Sequence, residues 1–394
     1  MSILSGLRAS PPIEIIGRGT KTIPVPDNCV AYEIYLWSGG GSGGAARDAD
    51  YGRKVSGGSA GGYANIKRVM LTGVTSLTAV LGAPGAAVTV TTDTSTNGNN
   101  ASSSTVTDGT VTLTVPGGKG GKANVNTTAV AAADPASTPT VSDSGDINTA
   151  IGGTSGANTS GNATKDVATG GGSAAGPWGD GKNSGSVIGA FTGATGAASP
   201  FFVSGDVLGD GFCTGGAGQG GKSGDATTAL TCGGGALGPS ANNDSTIPGA
   251  GAPVRGYQGS GLTGGPLFVA RGAGAGGETG LTTPIGMAGG PGGGGGTNVG
   301  TTGAAAAKGA GGHMGGGGGH IHNGSGLSDG FNNGGAFAGG GGSIFWSSAS
   351  TLYTKGGKGG LGSGGGGGTT RTGTSATSGE GGEPYICVTF FVRD

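Results

Sequence analysis

The chain has 394 residues, of which 103 are glycine; only 10% are charged, and the formal net charge is −1. This near-neutral balance gives no electrostatic basis for binding nucleic acid or an anionic membrane. Large apolar side chains are too sparse for one conventional core to run the whole length of the chain. Because glycine loses the most backbone entropy on folding, the glycine-rich part has to be held together by something other than side-chain burial.

The N-terminal part is predicted to form antiparallel β-strands, because β-branched and aromatic residues are concentrated there between turn-forming residues. In the stretch CVAYEIYLW, Ile34 and Leu36 fall on one face and are expected in a core, whereas Glu33 falls on the wetter face. The predicted strands are PIEII (12–16), TKTIPVP (20–26), CVAYEIYLW (29–37), GYANIKRVML (62–71), SLTAVLG (76–82), AAVTVTTD (86–93), GTVTLTVPG (109–117) and EPYICVTFFV (383–392).

Between these strands and the C-terminus, glycine clusters alternate with polar spacers of variable length, without a fixed period. AAAAK (304–308) is the one local helix candidate. A flexible linker would not need the bulky aromatic residues found here, and runs such as GGGGG break the strict period of collagen. We favour extended, polyproline-II-like glycine segments, whose backbone N–H and C=O groups pair with neighbouring segments.

These features predict an all-β protein. An N-terminal antiparallel β-sandwich is closed by the C-terminal strand and carries a large inserted region of polyglycine-II-like segments and loops. Residues 1–19 are assigned to an attachment segment, 20–117 to the sandwich strands, 118–378 to the glycine-rich region and 379–394 to the closing strand.

The stretch GGAGQGGKSG (215–224) contains a full match to the phosphate-binding pattern G-x-x-x-x-G-K-[ST]. A working phosphate loop follows a buried strand and opens a helix, and neither is predicted around it. In so glycine-rich a chain the match is better explained as a turn between two glycine segments. We therefore expect no nucleotide cofactor.

All three histidines of the chain lie within ten residues, at His313, His320 and His322. Imidazoles suit zinc, copper or nickel, so these residues are weak candidates for a metal site. The alternative is an exposed loop tip, since no acidic or cysteine ligand stands within the cluster.

The four cysteines leave two alternatives open. Cys29 and Cys387 lie in strands that are expected to pair, and Cys213 and Cys232 flank one glycine loop, so each pair is a possible disulfide. In a protein folded in a reducing compartment, four buried free thiols are the other possibility.

No arrangement of residues indicates catalysis, and we expect the protein not to be an enzyme. The carboxylates of the glycine region, Asp166 among them, are expected to be solvated loop residues. Aromatic residues are the better functional signal, because rings displayed on loops over a stiff scaffold suit sugar stacking or protein anchoring. The alternative is that they fill small apolar plugs. The receptor-binding candidates are Trp178, Phe201, Phe202, Phe331, Phe337, Phe345, Trp346 and Tyr353.

The order of three stretches, Pro26–Gly44, Gly57–Leu71 and Leu77–Ala87, resembles the glycine-rich domain of bacteriophage tail fibres and related virion appendages. GEGGEPYICVTFFV (379–392) takes the place of the short strand that closes that domain. The likeness covers nearly the whole chain from about residue 20. The chain departs from the family in its long spacer, 124–173, and in lacking a long N-terminal shaft.

The resemblance implies a tail fibre, fibre tip or surface fibre protein that adheres to the host cell. It implies docking to other virion proteins through the N-terminal segment, and binding to a host surface glycan or outer-membrane protein. A homo-oligomer is expected, with a trimer favoured. The start of the chain lacks a signal-peptide pattern, so synthesis in the host cytoplasm and a final location in the virion are expected. The alternatives are a purely structural capsid or tail decoration protein and, more remotely, an ice-binding or matrix protein.

Overall fold

The computed structural model confirms the all-β architecture, with strands as the regular elements throughout the part of the chain that it describes. The described residues are 7–69, 73–143, 147–155, 157–159, 166–177, 179–181, 183–184, 187–188, 192–193, 298–300, 320–322, 333–345 and 353–393.

The strands are short except for those that build the sandwich. In chain order they are β1 (Leu7–Ala9), β2 (Ile13–Ile16), β3 (Gly19–Pro24), β4 (Cys29–Trp37), β5 (Ala45–Arg47), β6 (Arg53–Val55), β7 (Tyr63–Val69), β8 (Ser76–Leu81), β9 (Thr89–Val90), β10 (Thr94–Thr96), β11 (Ser104–Thr107), β12 (Thr112–Val115), β13 (Ala123–Val125), β14 (Ala129–Val130), β15 (Thr140–Val141), β16 (Ile147–Ala150), β17 (Asn158–Thr159), β18 (Val167–Ala168), β19 (Val187–Ile188), β20 (Thr192–Gly193), β21 (Asn298–Gly300), β22 (His320–His322), β23 (Ser343–Phe345), β24 (Tyr353–Lys355), β25 (Gly368–Thr370), β26 (Ser375–Thr377) and β27 (Tyr385–Arg393).

Two antiparallel sheets form the sandwich. One has the order β1-β27-β4-β7-β16, with β2 also paired to β27, and the other has the order β15-β12-β11-β8-β3. Their facing side chains form the main apolar core, in which Ile34 and Leu36 are buried as predicted, while Glu33 lies on the opposite face and accepts a hydrogen bond from the Tyr35 hydroxyl at 3.0 Å. Phe390 fills the same core from the closing strand.

Both ends of the chain meet at the closing strand. β27 pairs with β4 along its length, β1 places Leu7 opposite Arg393, and β2 places Ile13 opposite Val388. The segment predicted for attachment therefore contributes two strands to the sheet. Its predicted docking to another virion protein stays a prediction.

Six connectors of equal length leave the sandwich strands or return to them. Each has seven residues between the strand ends, which at about 3.1 Å per residue in polyproline-II geometry spans about 22 Å. Each links a sandwich strand to one of the short strands beyond. The connectors are 38–44, 56–62, 82–88, 97–103, 116–122 and 378–384.

Connector 38–44 shows how the glycine segments bond. The N–H groups of Gly40 and Gly43 donate to residues 382 and 379, whereas those of Gly41 and Gly44 donate to residues 59 and 56. The N–H of Ser42 donates to a third neighbouring segment, at residue 99. This repeat of three is the period of a polyproline-II helix, which makes no internal hydrogen bonds. Counting its carbonyls, the connector bonds to six surrounding segments, at 56–59, 85, 99, 118–121, 365–368 and 379–382.

This packing requires glycine, because neighbouring backbones occupy the space of a side chain. A Cβ built at Gly41 would lie 2.1 Å from the carbonyl oxygen of Lys119. Within the described residues, the predicted polyglycine-II-like segments are thus present as a bundle, which we call the glycine bundle. Connectors from before and after residue 117 belong to it together, so that position does not separate two structural regions.

The part of the glycine-poor spacer at 130–139 lies on the surface of the glycine bundle. From Val130 onward, every third residue is buried, at Ala133, Ala136 and Pro139, while the residues between them are mainly exposed. Ala133 donates its N–H to the Ser155 hydroxyl at 2.8 Å. An extended segment with a threefold repeat that packs on one side produces this pattern. Residues 130–139 therefore follow the same geometry as the glycine segments, with side chains on their outer faces.

Besides several of the histidine and aromatic candidates, three predicted features lie outside the described residues. They are the phosphate-loop match (216–223), the helix candidate (304–308), and Cys213 with Cys232.

Candidate functional site

The short strands at the far ends of the connectors form a layer that we call the distal layer. In it, β5 pairs in parallel with β25 and antiparallel with β10, while β6 pairs with β13 and β18. Among the described residues, three turns join strands of this layer, at 48–52, 91–93 and 371–374, and we call them the distal turns. Because each connector runs from the sandwich to this layer, the distal turns lie at the opposite end of the glycine bundle from the sandwich.

The first distal turn has a fixed backbone and an exposed ring. The Asp48 carboxylate accepts hydrogen bonds from the backbone N–H groups of Asp50, at 2.8 Å, and Tyr51, at 2.9 Å. This side chain holds the turn in the way that aspartate commonly does. The Tyr51 side chain is 49% exposed, which makes it one of the few large exposed apolar groups of the described chain.

A buried ion pair at the start of β6 holds this turn in place. Arg53 donates through Nε to Asp166 Oδ1 at 2.7 Å and through a second nitrogen to Oδ2, and it also bonds to the Asp48 carbonyl. Asp166 is fully buried, so the expectation of a solvated loop carboxylate is wrong for this residue. The neighbouring Lys54 is buried too, and burial lowers its pKa from 10.5 to about 8, although Asp166 acts to raise it.

The other two distal turns are tied to the first. Arg47 pairs with Asp93 of the second turn and donates through Nε to the carbonyl of Gly373 in the third at 2.9 Å. Arg371, also in the third turn, donates to the Ala49 carbonyl at 3.2 Å. The three distal turns therefore form one cross-linked surface, on which Tyr51 is exposed.

The aromatic candidates divide between a structural cluster, the short strands and undescribed positions. Phe337 is partly buried and packs at the junction of sandwich and bundle, with its ring 5.3 Å from that of Trp37 and 6.0 Å from that of Tyr385. Phe345 ends β23, and Tyr353, which is half-buried, begins β24. Trp178, Phe201, Phe202, Phe331 and Trp346 lie outside the described residues.

Trp37 holds that junction cluster in place. Its indole N–H donates to the Ala175 carbonyl at 2.7 Å, and its ring lies 4.8 Å from that of Tyr63. For Phe337, packing among these rings accounts for the aromatic side chain. This matches the apolar-plug alternative at that position.

The metal candidates are only partly described. The backbones of His320 and His322 form β22, which pairs in parallel with β21 and β23, and His313 lies outside the described residues. Among the residues whose placement is described, no group of three potential metal ligands comes together. Over the same part of the chain, no helix is long and apolar enough to cross a membrane.

The Cys29–Cys387 disulfide is not formed, although the two strands pair as expected. Both thiols are free, because the register places Cys29 opposite Val392 and Cys387 opposite Tyr35. Six residues of β4 separate the two positions, about 20 Å of strand, whereas a disulfide needs Cα atoms within about 7 Å. Burial raises the pKa of both thiols.

Sequence reasoning missed the distal turns as a site. The signal was present in DADYGRK (48–54), where turn-forming and charged residues follow a glycine cluster. The Arg53–Asp166 pair gave no local signal, since 113 residues separate its partners.

A family model described as a glycine-rich domain matches residues 16–261, which is more than half of the chain. The chain belongs to this glycine-rich domain family. The match begins at the end of β2 and includes the sandwich strands up to β16, but it stops before the C-terminal stretch that the sequence resemblance also included. No curated protein matches this glycine-rich domain protein.

Proposed function

We propose that this glycine-rich domain protein is a bacteriophage virion appendage protein, in a tail fibre, fibre tip or surface fibre, and that it adheres to the host cell surface. The distal turns are the proposed contact region within the described residues. The proposed ligand is a surface glycan or an outer-membrane protein.

The observation that carries the proposal is the cross-linking of three distal turns on one end of the glycine bundle. Loops on a rigid scaffold are a common basis for recognition, because little ordering entropy is lost on binding. Here Asp48 fixes the backbone of one turn, while Arg47 and Arg371 join it to the others. Tyr51 offers a large amphipathic contact surface at low conformational cost.

The sequence resemblance to virion appendages supports a role in a phage particle. Membership of the glycine-rich domain family supports the glycine-rich part of that resemblance. We further propose attachment to other virion proteins at the sandwich end, where both chain ends meet in one sheet. A trimer would place several copies of the distal turns on one particle, so that weak contacts combine through avidity. The proposed location is the virion, after synthesis in the host cytoplasm.

Adsorption of fluorescently labelled protein to host cells tests the proposal. We expect wild-type protein to adsorb, the variant Tyr51→Ser to adsorb more weakly, and Ile16→Ser to adsorb like wild type. Ile16 is the matched control because its side chain is also exposed but lies on the sandwich strand β2.

Failure of wild-type protein to adsorb to any cell that the phage infects would overturn the adhesion proposal. In that case a structural decoration role becomes the better explanation. Labelling the protein in images of intact particles distinguishes the two, since adhesion requires the distal end to face outward and decoration places it against neighbouring subunits.

A further inference from the structure

The bundle surface contains a glycine segment in which every backbone N–H is hydrogen-bonded, although its backbone has only three hydrogen-bonded neighbouring segments among the described residues. In segment 118–123, Gly118 and Gly121 donate to backbone carbonyls of residues 39 and 42. The remaining four N–H groups donate to side-chain oxygens. Those acceptors are Ser59 for residue 119, Asn100 for residue 120, Ser56 for residue 122 and Asn97 for residue 123, each at 2.8 Å.

The contrast with connector 38–44 shows what these side chains replace. That interior connector bonds to six segments, whereas the backbone of segment 118–123 bonds to three in the described part of the chain, at 39–42, 56–59 and 97–101. The Lys122 side chain also pairs with Asp134 of the spacer at 2.8 Å. Lys119 and Lys122 are spaced by one turn of the threefold helix and are half-exposed, so this segment has an outer face. The asparagine oxygens occupy the direction in which residues 120 and 123 would otherwise donate to a further backbone.

Side chains cap backbone N–H groups in the same way in a second pair of segments. These two segments run parallel, whereas 97–101 and 118–123 run antiparallel. Ile151 and Thr154 donate their N–H groups to the side-chain oxygens of Asp180 and Asn183, both at 2.8 Å. The backbones of residues 181 and 184 donate back to the carbonyls of 151 and 154. In both pairs the capping side chains are three residues apart, which is the period of the segment that they cap.

We propose that these Asx pairs, Asn97 with Asn100 and Asp180 with Asn183, end the glycine bundle and prevent it from extending onto a second copy of the chain. A row of unpaired backbone donors on a glycine surface is a template for another backbone, as it is at the edge of a β-sheet. A second copy is the fitting occupant, because its own glycine segments carry the complementary carbonyls at the same spacing. All four capping side chains lie at exposed or half-exposed positions of the bundle surface.

Removing one pair of caps tests the proposal. The variant Asn97→Gly/Asn100→Gly deletes both acceptors and leaves room for an incoming backbone. We expect its mass by sedimentation to rise with concentration to about twice that of wild type or more. Asn97→Asp/Asn100→Asp keeps an oxygen at both positions and is expected to retain the wild-type mass.

Asn99→Gly is the matched control, since Asn99 lies in the same segment but uses its side-chain amide to donate to the Ala86 carbonyl at 2.9 Å. It is expected to keep the wild-type mass. Asp180→Gly/Asn183→Gly repeats the test at the second pair of caps. The proposal therefore stays testable if the Asn97→Gly/Asn100→Gly variant does not fold.

The inference is overturned if folded glycine variants keep the wild-type mass over the whole concentration range. It is equally overturned if Asn99→Gly associates as strongly as the double variant, because association would then follow from any lost side chain. Circular dichroism of each variant establishes that the protein compared is folded.

Discussion

The substitution Gly381→Ala tests directly whether the glycine bundle depends on close approach of backbones. A Cβ at residue 381 would lie 1.8 Å from the carbonyl oxygen of Gly40 and 2.4 Å from its carbon, where real Cβ contacts are essentially never under 3.0 Å. Both partners are backbone atoms in the interior of the bundle. They cannot rotate away, so the two segments have to separate by more than about 1 Å.

The cost follows from the hydrogen bonds at this point. Two hydrogen bonds join the segments that have to separate: Gly40 donates to the Gly382 carbonyl and Gly43 donates to the Gly379 carbonyl, each at 3.1 Å. Separation stretches both bonds and leaves buried N–H groups unsatisfied, at about 1–3 kcal/mol each. We therefore expect a loss of about 4 kcal/mol in the free energy of unfolding, which is a large part of the stability of a typical domain.

Gly109→Ala is the control. Gly109 lies in the exposed hairpin turn between β11 and β12, with a φ of +93° and nothing within 4 Å of the position of a Cβ. Its substitution strains only the local backbone, at about 1–2 kcal/mol. Urea unfolding followed by tryptophan fluorescence compares the two variants. Equal losses, or a loss for Gly381→Ala of about 1 kcal/mol or less, would refute the close-packing argument.

Three other predictions concern side chains that are buried or partly buried. Arg53→Met leaves the Asp166 carboxylate buried without its main partner and is expected to destabilise the protein by about 3–5 kcal/mol in urea unfolding, well beyond the effect of breaking an exposed ion pair. Because burial lowers the pKa of Lys54 to about 8, its charge penalises the folded state fully below that pH, and stability should rise between pH 8 and 10.5. A pH series of melting curves should show this rise in wild type and a smaller one in Lys54→Met. Finally, Cys29 and Cys387 should react with a thiol reagent more slowly in the folded than in the unfolded protein, and a peptide map containing a bridge between them would contradict the register of β27 on β4.

The sandwich could be predicted because its strands have side chains whose apolar or polar character marks the buried and the exposed face. Alternation of apolar and polar residues placed the strand Cys29–Trp37 at its observed bounds and its core face correctly, and the apolar C-terminal stretch predicted the closing strand. The predicted strand 86–93 is shortened to Thr89–Val90, because the seven residues before Thr89 form a connector of the bundle. Side-chain pattern alone does not distinguish a strand from an extended glycine segment that ends in β-branched residues.

The bundle could be predicted as a class of structure but not as an arrangement. Glycine clusters indicated extended segments that satisfy each other's backbones, which is what the hydrogen bonds show. Which segment lies beside which could not be predicted, since glycine has no side chain to specify a partner. The distal turns could not be predicted as a site for the same reason. The pairing of Arg53 with Asp166 depends on which glycine segments are neighbours.

If the distal turns bind a ligand as proposed, the arrangement would allow one scaffold to carry turns of different sequence. All six connectors have seven residues, and their backbone hydrogen bonds repeat every three residues. The bundle therefore fixes the position of each distal strand relative to its sandwich strand, independently of the turn that follows. A distal turn such as 48–52 begins and ends at strands that the bundle already positions. Its residues are constrained by contacts with the other distal turns, through Arg47 and Arg371, and by the bond from Arg53 to the Asp48 carbonyl, and not by the close packing of glycine backbones. Under the proposed function, a change of side chains in these turns would alter the ligand without disturbing the bundle, whereas substitution of an interior glycine would destabilise the scaffold that positions all three turns.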